Sequence, residues 1–327
     1  EKHKTLKEDI LNKIFITRPL PPEVLKKAQT LGEVTARNLT SPLTTKEMTE
    51  ALQNFDIILP TLGDLFSESI FQKVTKIRCK LLANFGAGYN HIAVEAAKEK
   101  GVIVTNTPGV LTDATADIAL TLMLMTARRA GEGERLVRKG KWEGWHPTQM
   151  LGYHVSGKTA AIIGMGRIGQ AIAHRCHFGF GMDIIYNSRS SKNLDYPATY
   201  FQNVEETTKK GDIVFIAVPG GKTTRHLINR RIFSTMKSHS ILVNISRGDV
   251  IAEIDLIEAL KKGDIGGAGL DVYEFEPKIP EGLLEMDNVT LFPHLGSASL
   301  EIRTEMGMMA LANIVNFLNG KSPPNLV

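Results

Sequence analysis

Three polar residues in the last third of the chain, Arg247, Glu276 and His294, are types that handle carboxylates and protons. A guanidinium grips a carboxylate through a planar fork and polarises a neighbouring carbonyl. An imidazole moves a proton near neutral pH, and a carboxylate beside it fixes its tautomer and favours the protonated ring. Each of the three follows a short apolar run. Arg247 lies in Asn244-Ile245-Ser246-Arg247-Gly248, Glu276 in Leu270-Asp271-Val272-Tyr273-Glu274-Phe275-Glu276-Pro277, and His294 in Phe292-Pro293-His294-Leu295-Gly296. If those runs are parallel strands, all three residues stand at strand C-terminal ends, where open α/β sheets bind ligands. Such a set could hold a 2-keto acid and protonate its C2 oxygen as a hydride arrives.

A hydride needs a carrier, and the middle of the chain offers a cradle for one. The apolar stretch Lys158–Ile163 runs into Gly164-Met165-Gly166-Arg167-Ile168-Gly169, and Ile168, Ala171 and Ile172 then continue with helical spacing. This is the strand–turn–helix setting that a dinucleotide fingerprint requires. The first Gly makes the tight turn, the second admits the pyrophosphate, and the third lets helix and strand pack closely. The helix start adds N–H donors and a positive dipole end. The following strand, Asp183–Tyr186, ends in Asn187-Ser188-Arg189-Ser190 with no carboxylate after it. An NAD site usually carries an acid there for the ribose 2′-OH, whereas Arg189 with Ser188 and Ser190 suits a 2′-phosphate. The expected cofactor is NADP, with NAD a weaker alternative. Val218 and Pro219, Ile245 and Ser246, and Asp271 and Gly296 join the expected cofactor contacts.

Positioning these groups requires a sheet of parallel strands. Strands are expected at 160–163, 183–186, 213–218, 241–245, 267–271 and 289–292, with helices between them. A similar series precedes them: a strand at 13–17, a helix at 23–30, and apolar runs at 57–59, 81–83 and 102–104. This alternation indicates βαβ units. Thr112–Lys139 reads as one long helix, with Leu120, Met123 and Leu124 on a face apolar enough to suggest a dimer contact. The segment 140–157 reads as irregular, and 301–318 as a terminal helix. The fold class is α/β, with two Rossmann-like doubly wound parallel-sheet domains, the larger binding the dinucleotide. The expected division is 1–106 with 298–327 for the substrate, flavodoxin-like domain, and 107–297 for the dinucleotide domain.

Composition narrows the function classes. A chain of 327 residues suits two domains, and its net charge of +4 is spread without a long like-charged block. Nucleic-acid binding gains no support, while a small acidic substrate fits. Two cysteines, Cys79 and Cys176, stand far apart and outside metal or disulfide spacing, which suits a cytoplasmic, reducing compartment. The opening Glu1-Lys2-His3-Lys4 is too charged for a signal peptide, and no apolar stretch is long enough to span a bilayer. His174 and His177 sit three apart on the fingerprint helix, but no third ligand lies nearby, so no metal is expected.

The segments Asn84–Asn90, Gly164–Gly169, Asn244–Gly248, Gly267–Pro277 and Pro293–Ser297, in this order, resemble the D-isomer-specific 2-hydroxyacid dehydrogenase family. The likeness is stronger to its glyoxylate/hydroxypyruvate reductase branch and covers nearly the whole chain. The resemblance implies that Arg247 binds the substrate carboxylate and carbonyl, that Glu276 supports the histidine, and that His294 is the acid/base. It implies that backbone N–H groups at Ala87 and Gly88 hold the carboxylate and that Asp271 lies near the nicotinamide. It also implies a homodimer in which Trp145 reaches the partner's active site. The expected activity is NADPH-dependent reduction of glyoxylate, hydroxypyruvate or a similar small 2-keto acid. The alternatives are a phosphoglycerate, phosphite or formate dehydrogenase of the same family, or a dinucleotide-sensing corepressor.

Overall fold

A computed structural model describes residues 12–327; the charged opening Glu1–Lys4 lies outside them. The chain forms two compact units, one from residues up to Val110 together with Ser299–Val327, the other from Leu111–Ala298.

Among the described residues, the first unit holds five strands: β1 (Lys13–Ile16), β2 (Glu33–Ala36), β3 (Ile57–Leu59), β4 (Leu81–Ala83) and β5 (Ile103–Thr105). All pair in parallel, in the order β2-β1-β3-β4-β5, the flavodoxin-like arrangement. Its inner strands β1, β3 and β4 are apolar on both faces because helices cover both. Ile14, Ile16, Ile57, Leu59 and Leu81 pack with Ala310, Leu311 and Ile314 of the terminal helix Leu300–Leu318. Phe15, Ile58, Leu82 and Val104 face the other way, toward Met48, Leu52 and Phe71.

The second unit holds seven: β6 (Thr159–Ile163), β7 (Asp183–Asn187), β8 (Ala198–Phe201), β9 (Ile213–Ile216), β10 (Ile241–Asn244), β11 (Gly267–Leu270) and β12 (Val289–Leu291). They too are parallel, in the order β12-β11-β10-β9-β6-β7-β8. This is the doubly wound order, and its direction reverses between β6 and β9, where the crevice of such a sheet opens. β6 divides its side chains accordingly: Ala160 and Ile162 join one core with helices Thr112–Ala127 and Arg167–Phe180, and Ala161 and Ile163 join the other.

Three expectations need correction. Thr112–Lys139 is not one helix but two, Thr112–Ala127 and Ala130–Arg138, broken at Arg129 with φ 53°. The cause is distant in sequence. The carbonyl of Ala127 accepts the N–H of Tyr153 at 2.6 Å, and Gly152 packs so tightly that a Cβ there would lie 2.5 Å from that oxygen. Leu120 and Met123 are no spare face: both are buried in the unit's own core, and Leu124 packs against it. The larger sheet has a seventh strand, β8, which like β2 in the smaller sheet has little fully buried surface and gave no apolar run. Among the described residues, no helix is long and apolar enough to cross a membrane.

Candidate active site

The turn after β6 shows what each fingerprint glycine does. Gly164 has φ +102°, and a Cβ there would stand 2.6 Å from the carbonyl of Ala217. The turn can therefore lie against the chain leaving β9, which continues into Val218 and Pro219. A Cβ on Gly169 would stand 2.0 Å from the Gly164 oxygen, so this glycine lets the helix Arg167–Phe180 meet the turn. Gly166 differs: a Cβ there would meet nothing within 4 Å. No side chain caps the helix at Gly166, so the N–H groups of its first turn, from Arg167 through Gly169, are left for an external anion. Met165 is buried beneath the turn. This cradle fits a pyrophosphate.

At the end of β7, the Gly164 N–H donates to the Asn187 carbonyl at 2.9 Å. The Asn187 side-chain nitrogen donates to the carbonyls of Phe201 and Gln202 at 3.0 and 2.9 Å, which fastens β7 to the end of β8. The Ser188 hydroxyl donates to the Ser190 carbonyl at 2.5 Å, and Arg189 is exposed on this turn. A second cation stands there that the sequence reading missed. Lys192 Nζ lies 3.4 Å from Ser190 Oγ, and its backbone N–H donates to the Tyr186 hydroxyl at 2.8 Å. The signal was a Lys three residues beyond Arg189.

The polar cluster is built at the ends of β10, β11 and β12. Buried Asn244 shapes the first loop: its Oδ1 accepts from the Ser246 N–H and hydroxyl, and its Nδ2 donates to the Arg247 carbonyl at 3.0 Å. Ile245 is buried beside it. A Cβ on Gly248 would stand 1.8 Å from the carbonyl carbon of Tyr273, so the Arg247 loop and the loop after β11 are in direct backbone contact. Glu276 turns back along its own loop to accept the Tyr273 N–H at 3.1 Å on Oε1. Its other oxygen, Oε2, lies 2.9 Å from His294 Nδ1.

His294 has φ 56°, a conformation a β-carbon disfavours. Its surroundings enforce it. The His294 N–H donates to the Asp271 carbonyl at 3.0 Å, and the Asp271 carboxylate accepts the N–H groups of Leu295 and Gly296 at 2.6 and 2.8 Å. Thr115 donates to the Gly296 carbonyl at 3.0 Å. Strain held by over-determined surroundings is common where geometry must be fixed for function.

Electrostatics follow from this packing. Burial would push the Glu276 carboxyl up, but the His294 hydrogen bond and charge, the Tyr273 N–H and Arg247 together hold it below the usual carboxylate range. Burial pushes Asp271 up despite its N–H donors and His294. Burial also lowers the Arg247 pKa, with Glu276 and Asp249 acting against the change; a guanidinium stays cationic there regardless. The cluster thus unites an anchored cation with an imidazole whose Nδ1 is held by a carboxylate. That leaves Nε2 as the nitrogen for chemistry.

The first unit places Ala87 and Gly88 just past β4. Asn84 donates to the carbonyls of Gly86 and Gly88, both at 3.1 Å, and Asn106 donates to that of Ala87 at 2.8 Å. Because the peptide is planar, holding the Gly86 and Ala87 carbonyls also fixes the orientation of the Ala87 and Gly88 N–H groups that share those peptides. Asn84 is itself oriented by His91, whose Nε2 lies 3.0 Å from its Oδ1. These anchors were not singled out in the sequence. Trp145 shares no hydrogen bond with the Arg247–Glu276–His294 cluster and is 79% exposed. His174 and His177 pack against Phe178 and Tyr196 as parts of an aromatic group.

Residues 120–296 match the family model described as D-isomer specific 2-hydroxyacid dehydrogenase, NAD binding domain. The chain belongs to the D-isomer-specific 2-hydroxyacid dehydrogenases. It is 42% identical to a glyoxylate reductase of Pyrococcus horikoshii over 322 residues, covering 96% of this chain and 95% of that protein. Among solved structures it resembles the TT0316 protein of Thermus thermophilus, at TM-score 0.88 and 38% identity over 96% of this chain and 99% of that one. It also resembles an NADPH-dependent glyoxylate/hydroxypyruvate reductase of Sinorhizobium meliloti in complex with NADP and malonate, at TM-score 0.86 and 31% identity over 97% and 96% of the two chains. Within the family, the chain falls in the glyoxylate reductase branch.

Proposed function

We propose that this protein reduces glyoxylate, hydroxypyruvate or a similarly small 2-keto acid to the D-2-hydroxy acid, using NADPH in preference to NADH. The observation that carries the reading is the 2.9 Å contact between His294 Nδ1 and Glu276, on the same sheet as the glycine cradle. The N–H groups of Arg167, Ile168 and Gly169 would hold the pyrophosphate, with Val218, Pro219, Ile245, Ser246 and Asp271 along the nicotinamide half. Ser188, Arg189 and Ser190 would hold the 2′-phosphate. When bound, the nicotinamide supplies the hydride for C2.

The protein's own residues supply the rest. Arg247 grips the substrate carboxylate and draws charge toward the C2 oxygen. Glu276 accepts from Nδ1, so a protonated His294 presents Nε2–H. That proton passes to the C2 oxygen as it gains charge, and the ring is left neutral with Nδ1–H still on Glu276. In the reverse direction, Nε2 takes the hydroxyl proton.

We read the protein as a cytoplasmic homodimer. The exposed apolar residues Val137, Trp142, Trp145 and Leu151 support an assembly face there rather than at Leu120 and Met123. The mass of a monomer in solution at micromolar concentration would contradict it.

The functional test is oxidation of NADPH and NADH with glyoxylate, hydroxypyruvate, pyruvate and phenylpyruvate. The reading expects the two small polar acids to turn over fastest with NADPH. Absence of turnover with all four acids would overturn it.

A further inference from the structure

A second imidazole–carboxylate pair lies next to the first. His226 Nε2 stands 2.7 Å from Glu274 Oε1, and Arg225 donates to the same oxygen at 3.3 Å. The Glu274 side chain is only 10% exposed, although it sits in a loop. Glu274 lies two residues before Glu276. Like His294, His226 occupies the left-handed region, with φ 51°.

The backbone explains where this pair sits. The His226 N–H donates to the Asp249 carbonyl at 2.8 Å, in the short 3-10 turn Gly248–Val250 that follows Arg247. Two residues later, the Ile228 N–H donates to the Val250 carbonyl at 3.1 Å. The main chain of His226 is thus sewn to the Arg247 loop, and its ring is bonded to the Glu276 loop. On the other side, Thr224 donates to the carbonyl of Pro219 at 2.7 Å. The Glu274 N–H is held by Glu253 at 2.8 Å, so both its backbone and its carboxylate are tied.

We propose that His226 and Glu274 act as a positioning pair that sets the spacing between Arg247 and the Glu276–His294 couple. The proposal rests on the reduction reading above and deepens it. The pair touches neither substrate nor reacting atoms. It fixes the loop after β11 against the loop after β10, at the point where Gly248 meets Tyr273. It also links that junction to Pro219, one of the residues proposed to line the nicotinamide. A carboxylate buried in a loop is costly to hold unless it is bonded, and here His226 and Arg225 bond it. Losing the His226 bond leaves the Glu274 carboxylate with the longer 3.3 Å contact to the exposed Arg225 side chain, and the loosened tie lets the Glu276 loop drift from Arg247.

The test uses the full-length protein and the substitutions His226→Asn and Glu274→Gln. Asn accepts the left-handed backbone at 226 but is too short to reach Glu274. Gln at 274 keeps an acceptor for the imidazole and loses the charge. Three quantities are measured: steady-state kinetics with a 2-keto acid, thermal stability, and the titration of Glu276 in protein labelled with ¹³C-carboxyl glutamate, its signal assigned by loss in Glu276→Gln. For His226→Asn, kcat falls by about ten- to a hundredfold, the range expected for a small misplacement of reacting groups. The Glu276 carboxyl titrates higher, toward its ordinary range, because its bond to His294 is loosened. Glu274→Gln lies between the wild type and His226→Asn. An unmoved Glu276 titration in His226→Asn overturns the proposal, as does a loss of activity explained wholly by a smaller folded fraction. A wild type that turns over no 2-keto acid sinks the reduction reading and leaves the positioning pair to be judged on the titration alone.

Discussion

Cofactor choice is the expectation most directly open to measurement, and Arg189 is where to perturb it. Arg189 is exposed on the turn after β7, with Ser188 and Ser190 on either side. A hydrogen bond to a charged group contributes about 1.5–3 kcal/mol, and solvent at an exposed site favours the lower end. Lys192 Nζ, 3.4 Å from Ser190 Oγ, keeps one cation nearby when Arg189 is removed. Arg189→Ala should therefore weaken NADPH by about 1.4 kcal/mol, tenfold in Kd. Adding Lys192→Ala should weaken it further, while NADH, which lacks the phosphate, stays nearly unchanged through both steps. Isothermal titration calorimetry with each cofactor at low and high salt measures this, and the NADPH advantage should shrink as salt screens the cations. The reasoning is refuted if the wild type binds NADH more tightly, or if Arg189→Ala weakens both cofactors by the same factor.

Other outcomes follow from the same geometry. His294→Ala should lower kcat by about 10²–10⁴, the range for general acid catalysis; near-normal turnover would remove His294 from the mechanism. Arg247→Lys keeps a charge but loses the planar fork, so KM for the keto acid should rise and kcat fall together; unchanged kinetics would give Arg247 a structural role only. At the opposite, N-terminal end of the central strands of the larger sheet, burial acts to raise the Asp212 pKa, but His239, Lys237 and the Thr159 N–H more than offset it and draw the carboxyl down to about 2. A carboxyl lowered by folding stabilises the native state above its unfolded pKa and ceases to do so as pH falls through the folded value. Asp212→Asn should thus cost about 1–2 kcal/mol at pH 7, allowing for solvent screening, and almost nothing near pH 2. Urea unfolding at both pH values checks this, and an equal cost at both would contradict it.

The features legible in the sequence were those whose cause is local. Ile162 and Ile163 run straight into Gly164, so the strand–turn–helix unit is written in consecutive residues. The adjacency of Glu276 and His294 was legible because β11 and β12 are neighbours and each residue follows its strand closely. What was hidden depends on distant partners. Nothing between Ala127 and Ala130 is a Pro or Gly, and the helix breaks there where the Tyr153 N–H takes the Ala127 carbonyl and Gly152 packs against it. β2 and β8 lie at sheet edges, where half-exposed strands need no apolar run. Asn187, expected among the cofactor contacts, has its side-chain amide bonded to β8 from fourteen residues away. The His226–Glu274 pair spans 48 positions and belongs to no motif.

The three fingerprint glycines answer to different demands. Gly164 and Gly169 are required by the polypeptide itself, since any larger residue would collide with backbone whether or not a cofactor is present. Gly166 faces open space, and its φ of −80° is one any residue can adopt. A methyl group there would leave an apo protein that folds and melts much as before, yet it would stand in the space proposed for the pyrophosphate. Quality control in a cell, which inspects folding, would therefore pass a chain altered at Gly166; only loss of the ligand would reveal the fault.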